Sequence, residues 1–263
     1  MNRSIIAVIN QKGGVGKTTS VINLASSLSI LGQNNLIIDL DPQGNATTGL
    51  GIENKNSEKN VYELLIKRVK LENAIRKTEI ANLDIIGSHV DLSGLEVETA
   101  NDPNRAFLLK NILSDETVVS KYDNIFIDCP PSLSLLTIMA LVTSKELLVP
   151  LQTEFFALEG ITQLVKTIDR IKINLNPKLQ IRGIVLTMFD KRNKLSSEVD
   201  YEARKYFKEK VYKTVIPRNV RLSEAPSHGV PVLIYDKNCP GSKSYYSFTD
   251  EFIVQENNIG SAA

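Results

Sequence analysis

The chain has 263 residues, which suits one large α/β domain over residues 1–263 and does not demand two. A formal net charge of +1 excludes a globally basic nucleic-acid binder but leaves room for a local basic patch; 42% hydrophobic and 23% charged residues are ordinary for a soluble globular chain with a sizeable core. Cys129 and Cys239 form no metal-ligand pattern and suggest a reducing compartment, and no apolar run approaches the roughly 18 residues of a membrane span.

The first four residues, Met1-Asn2-Arg3-Ser4, run straight into an apolar strand at residues 5–9, so no signal peptide is expected and the protein reads as cytoplasmic. Gln11-Lys12-Gly13-Gly14-Val15-Gly16-Lys17-Thr18-Thr19 follows. Val21, Ile22, Leu24, Ala25, Leu28 and Leu31 then recur at helical spacing, and Gly32 ends the helix. Strand, glycine-rich turn and helix are the context of a phosphate-binding loop. Glycines let several N–H groups point at one anion, and the helix N-terminus adds partial positive charge. Lys17 can reach outer phosphates, and the Thr18 hydroxyl is placed for Mg²⁺. The loop departs from the common pattern, with Gln11 where glycine stands and an early second lysine, Lys12.

Residues 36–38 form the next buried strand, which delivers Asp39-Leu40-Asp41-Pro42-Gln43-Gly44-Asn45 to the carboxyl edge of a sheet, where ligands of open α/β sheets sit. Asn60 caps a short helix, and residues 71–77 read as a second. Residues 83–86 read as a strand, followed by Gly87-Ser88-His89; no metal-ligand spacing surrounds His89, which reads as structural or surface. Residues 104–114 read as an amphipathic helix. The strand at 124–127 ends in Asp128-Cys129-Pro130-Pro131-Ser132: a carboxylate that can hold a Mg²⁺ shell, a cysteine that reads as core, and prolines that fix a rigid turn. Residues 147–151 are another strand, and a helix runs from the 152–160 corner to about residue 173. Strands at 181–189 and 211–216 flank a basic stretch, Pro217 to Pro226 forms a loop, and residues 242–252 read as a helix on the sheet. Seven strands with helices between give a doubly wound, mainly parallel β-sheet flanked by helices.

Six of these segments resemble one family. The Lys12–Thr19 loop resembles the deviant Walker A loop of the ParA/MinD family of P-loop ATPases, in which the early lysine reaches a dimer partner's nucleotide. Asp39 to Gly51 resembles its switch I, in which Asp41 orients or activates the attacking water and Asp39 supports the loop. The segment from Gly87 resembles one with proline in place of Gly87. Asp128 to Ser132 resembles switch II, and Gln152 to Gly160 a corner of the dimer interface. Residues 217–226 resemble the base-binding loop, where Pro217 and Asn219 match positions that cradle adenine, with Met188 and Phe189 on the neighbouring strand end.

The resemblance implies ATP and Mg²⁺ as cofactors. It assigns the nucleotide to Lys12, Gly13, Gly14, Val15, Gly16, Lys17, Thr18, Thr19, Met188, Phe189, Pro217 and Asn219, the metal to Thr18 and Asp128, and catalysis to Lys12, Lys17 and Asp41. It implies a Soj-like partitioning ATPase: an ATP-dependent homodimer that binds double-stranded DNA non-specifically, at the nucleoid, and answers to a ParB-like partner. No membrane partner is expected, nor the N-terminal DNA-binding domain of longer relatives, because the loop begins so early. No arginine finger is visible in cis, so slow basal turnover is expected.

A MinD-like membrane-cycling ATPase is the rival reading; it needs a basic amphipathic C-terminal helix, whereas residues 250–258 are acidic and Ile259-Gly260-Ser261-Ala262-Ala263 ends the chain. An iron–sulfur carrier needs thiolates paired at a dimer axis, and Cys129 and Cys239 stand far apart in sequence. Lys17, Asp41 and Asp128 together speak against a module that holds ATP without turnover.

Residues 188–221 hold ten basic and five acidic side chains, a local +5 that leaves −4 for the rest of a chain whose total is +1. Clustered charge of this kind suits phosphate contact. Arg192, Arg204, Arg218 and Arg221 are the candidate DNA contacts, with Arg218 and Arg221 alternatively bracing the base-binding loop.

Overall fold

The computed structural model describes residues 4–53 and 58–260, with side chains as far as Gln255. The strands are β1 (Ser4–Val8), β2 (Asn35–Asp39), β3 (Arg76–Lys77), β4 (Leu83–Ile86), β5 (Asn124–Asp128), β6 (Glu146–Gln152), β7 (Gln180–Phe189) and β8 (Val211–Pro217). They lie in the order β3-β4-β2-β5-β1-β6-β7-β8, all parallel except the β3–β4 edge pair. The doubly wound, mainly parallel sheet is therefore the one the alternation of apolar runs and helical stretches implied.

The inner strands are buried on both faces, as parallel strands covered by crossover helices must be. All five residues of β2 and of β5 are buried. Side chains alternate between two cores. Ala7, Leu36, Ile38, Ile125 and Ile127 face one, completed by Met139, Ala140, Ile161, Leu164 and Val199. Ile6, Val8, Ile37 and Phe126 face the other, completed by Val21, Leu24 and Leu28 of the first helix (Lys17–Ile30) and by Tyr245, Phe248 and Phe252 of the last (Pro240–Gly260). A period of two in the strands and 3.6 in the helices puts these residues on facing surfaces.

Four elements differ from the sequence expectation. The helix expected over 71–77 stops at Ala74, and Arg76–Lys77 pairs antiparallel with β4 instead, where Lys77 Nζ reaches Asp84 at 2.9 Å. The 104–114 helix is a 3-10 turn, Arg105–Phe107, running into Leu108–Ile112. Helices at Leu135–Thr143 and Lys194–Phe207 were not expected as such. The first is apolar almost throughout, so it has no polar face to betray its period. Asn60 does cap Val61–Leu65, accepting from Glu63 N at 2.9 Å. The tail expectation rests partly on residues 261–263 and on side chains of 256–260, which lie outside the described residues.

At the amino ends of β1, β6 and β7 a buried ion pair fastens the last helix. Arg182, 2% exposed, donates to Glu146 Oε2 at 2.8 Å and to Phe252 O at 3.1 Å, with its guanidinium 3.7 Å from the centre of the Phe252 ring. Ser4 Oγ donates to the same Glu146 oxygen at 2.6 Å. Burial pushes the Glu146 carboxyl up, but Arg182 and Ser4 outweigh it and hold it below its usual value. Arg182→Met would leave Glu146 buried without its counter-charge and should cost about 3–5 kcal/mol in urea unfolding. Adding Glu146→Gln should recover part of the loss; a single-variant loss under about 1 kcal/mol would contradict this account.

Candidate functional site

The phosphate-binding loop leaves β1 and enters the first helix through Gly14 (φ 74°) and Gly16 (φ 88°), left-handed positions at which a side chain would be strained. Asn10 anchors the loop, accepting from Lys12 N at 3.0 Å and donating to Pro150 O at 2.8 Å. Thr187, on β7, donates to Val15 O at 2.9 Å. The Lys17 ammonium donates to Lys12 O at 3.0 Å, across the loop. Burial lowers the Lys17 pKa, and the Asp128 charge opposes that.

Asp128 ends β5 beneath Thr18, whose hydroxyl donates to Oδ2 at 2.7 Å. The carboxylate is fully buried, and Oδ1 has no hydrogen-bond partner among the described residues. Burial first, then the charges of Asp39 and Asp41, raise its pKa well above the carboxylate range, against the Thr18 bond and Lys17. A buried acid with a bare oxygen beside a threonine hydroxyl fits a hard divalent cation. Among the described residues no cluster of three or more His, Cys, Asp or Glu side chains could hold a metal alone, so phosphate and water oxygens would complete the shell.

Asp39 and Asp41 close the other side. Asp39 is fully buried: Oδ2 accepts from Thr47 N at 2.9 Å and Thr47 Oγ1 at 2.7 Å, and Oδ1 from Asp41 N at 3.2 Å. Asp41 accepts from Gln43 N at 3.0 Å on Oδ1 and lines the cleft. Asp39 thus fastens the loop and Asp41 faces the cavity.

The cleft, about 720 Å³, runs from Gly13, Gly14, Gly16, Lys17, Thr18, Thr19 and Asp41 past Thr187 and Met188 to Pro217, Arg218 and Asn219. Met188 takes a left-handed φ of 50° at the end of β7. Asn219 Oδ1 is buried with no partner among the described residues, an acceptor free for an amino group on a base. The cleft's far wall includes Val230, Pro231 and Tyr245, which had no motif to single them out. The loop after Pro226 touches the end of the Asp41 loop backbone to backbone. Gly51 (φ 71°) and Gly229 (φ 67°) meet so closely that a methyl on Gly229 would lie 2.7 Å from Gly51 Cα.

Four of the expected residues are not among those lining the cleft. Val15 is buried behind the loop, and Asp128 lies below Thr18. Phe189 stands off the cleft and holds the Pro217–Asn219 loop through its carbonyl, which accepts from Arg218 N at 3.2 Å. The Lys12 ammonium points away from the cleft, 52% exposed, and pairs with Glu154. Three of the four basic candidates are engaged within the chain. Arg192 is bidentate on Asp190 at 3.0 and 2.8 Å, Arg204 meets Asp200 at 2.6 Å, and Arg221 meets Glu224 at 2.7 Å. Arg218 lines the cleft. Among the described residues of this window, Lys191, Lys208, Lys210 and Lys213 are exposed and carry no ion pair.

Residues 3–181 match a family described as an AAA domain. The chain is 48% identical over 254 residues to the chromosome partitioning protein ParA of Caulobacter vibrioides, covering 97% of this chain and 95% of that one. It is 49% identical over 247 residues to the sporulation initiation inhibitor protein Soj of Bacillus subtilis, covering 94% and 97%. Among solved structures it is similar to cobyrinic acid a,c-diamide synthase from Mycobacterium smegmatis with bound ATP analogue and magnesium, at a TM-score of 0.84 and 31% identity, covering 95% and 93%.

Burial, opposed by the Thr47 bonds, pushes the Asp39 carboxyl up to about 6. The folded chain therefore holds this proton more tightly than the unfolded one, and the stability it contributes is full below about pH 4 and lost by about pH 6. Asp39→Asn should flatten unfolding free energy over that window in metal-free protein; an unchanged slope would show that Asp39 is not the group responsible.

Proposed function

The chain belongs to the family of ParA and Soj chromosome-partitioning ATPases, and on that premise we propose that it is a DNA-segregation switch driven by ATP. In this reading the whole chain acts as one ATPase domain in the cytoplasm, at the nucleoid. Its ATP-bound form is a sandwich homodimer that binds double-stranded DNA without sequence preference. A ParB-like centromere-binding protein stimulates hydrolysis and so releases the DNA.

The observation that carries the reading is convergence: Lys17, Thr18, Asp41 and Asp128 meet at one end of a cleft whose other end presents Asn219 Oδ1. We assign the phosphates to the loop amides from Gly13 to Thr19 and to Lys17, the cation to Thr18 and Asp128, and the base to Met188, Pro217 and Asn219. Bound Mg²⁺ would neutralise charge on the phosphates. Asp41 is the carboxylate sited to orient a water. Lys12 is assigned to the partner's nucleotide: its own cleft already has Lys17, and its half-exposed head pairs with Glu154, which directly precedes Phe155 and Phe156, 74% and 66% exposed. Glu154 holds the Lys12 head within the single chain.

Asp41→Ala should bind ATP without hydrolysing it and accumulate as a dimer, read by light scattering with ATP against ADP. Adding Lys12→Ala should remove that dimer while nucleotide binding persists. Near-normal turnover in the first variant, or an undiminished dimer in the second, would overturn the assignment concerned.

The side-chain pairing also revises the DNA surface. Arg192 and Arg204 sit against carboxylates, so each pair is locally neutral. Lys208 and Lys210 lie in the turn before β8 and Lys213 on that edge strand, with Lys191 just after β7. We assign the phosphate-binding surface to these lysines. Reversing Lys208, Lys210 and Lys213 to Glu should weaken binding to random duplexes of any sequence alike, with ATPase activity retained. The log–log salt slope should drop by about 0.9 for each phosphate that is no longer neutralised. A larger effect from Arg192→Glu with Arg204→Glu would return the DNA surface to the arginines.

A further inference from the structure

Asp41 is held by more than its own loop. Its carbonyl accepts from Gly44 N at 2.9 Å and from the Ser88 hydroxyl at 2.5 Å. Ser88 follows β4, the strand beside β2, and is fully buried. Its amide donates to Thr47 Oγ1 at 2.9 Å. Thr47 donates through both its amide and its hydroxyl to Asp39, and Asp39 accepts from the Asp41 amide. The bonds close a ring: Asp41 carbonyl, Ser88, Thr47, Asp39, Asp41 amide. Both peptide groups that fix the Asp41 backbone are thereby tied to buried partners. Because Ser88, Thr47 and Asp39 are fully buried, such bonds hold geometry rather than exchange it.

We propose that Ser88 is a positioning residue for hydrolysis, setting the Asp41 carboxylate against the attacking water through the hydroxyl-to-carbonyl bond. The inference rests on the assignment of Asp41 made above. Gln43 N, bonded to the Asp41 side chain at 3.0 Å, belongs to the same loop, so the carboxylate moves with the backbone that Ser88 restrains. The groups assigned to the nucleotide come from other elements, namely the phosphate-binding loop, Met188 and the loop at Pro217–Asn219, and none of them is a member of the ring. Loss of the Ser88 hydroxyl should therefore slow the chemical step and leave binding alone. Misplacement of about 1 Å at a reacting group costs as much as 10²-fold, and one of the two bonds to the carbonyl survives.

Ser88→Ala should lower kcat about tenfold, with KM for ATP and the melting temperature both near wild type, while Ser88→Thr, which keeps the hydroxyl, restores turnover. In the Asp41→Ala background, Ser88→Ala should have no further effect, because the group it positions is gone. If Ser88→Ala does not fold, the pair Thr47→Ser and Thr47→Val takes its place: the first keeps the ring and should turn over, the second opens it and should not. Normal kcat in Ser88→Ala or Thr47→Val, with Asp41→Ala inactive, overturns the positioning role and leaves Asp41 standing. Near-normal turnover in Asp41→Ala overturns the parent assignment instead. A fall in kcat matched by an equal change in KM or in melting temperature makes Ser88 merely structural and also overturns the proposal.

Discussion

One hydrogen bond sets the site: the Thr18 hydroxyl donates to the fully buried Asp128 at 2.7 Å. It ties the first helix to the sheet at the point where three parallel strands end together. Asp128 is level with Val8, the last residue of β1 before the phosphate-binding loop, and with Asp39, the first acid of the next loop. Parallel register thus brings two fully buried carboxylates side by side with a third, Asp41, close behind. Their mutual repulsion adds to the burial that raises Asp128. Such a group is costly to leave charged, and positive charge placed beside it offsets that cost. Lys17 supplies some of it, and a cation on Asp128 and Thr18 would supply the rest. The site is built as an acidic hollow that a metal–nucleotide complex completes.

The sheet divides its work between its two ends. At the carboxyl ends lie the loops, the left-handed glycines and the strained Met188. At the amino ends the Arg182–Glu146 pair and the Phe252 ring fasten the last helix. That helix also reaches the site: Tyr245 lines the cleft and its hydroxyl lies 3.1 Å from Ser20 Oγ on the first helix. A polar lock at one end therefore steadies a wall of the cleft at the other.

The inner strands were legible in the sequence because both faces of each are buried, which forces short apolar runs such as Leu36-Ile37-Ile38 and Ile125-Phe126-Ile127. The phosphate-binding loop was legible because left-handed backbone demands glycine at 14 and 16. What spacing does not carry is side-chain direction. Lys12 stands in the loop yet points away from the cleft to Glu154, far along the chain. Arg192 and Arg204 counted as free charge, although carboxylates two and four positions away neutralise them. Ser88 fell in a segment that resembles the family's but had no chemistry attached to it: its meaning comes from the adjacency of β4 and β2, a property of the sheet order. The helix at Leu135–Thr143 lacked a polar face because it is buried almost throughout.

The meeting of Gly51 and Gly229 has a consequence for anyone who recombines these chains. The loop that ends at Gly51 carries Asp41, and the loop around Gly229 lies at the Pro217–Asn219 end of the cleft. At Gly51 and Gly229 they meet as bare backbone, with no side chain to act as a cushion. A loop of different length or curvature on one side would press directly on the other. Grafting nucleotide preference or catalytic rate from a homologue would then require residues 44–51 and 225–231 to travel as a single block, since neither loop has a shape of its own that the other does not share.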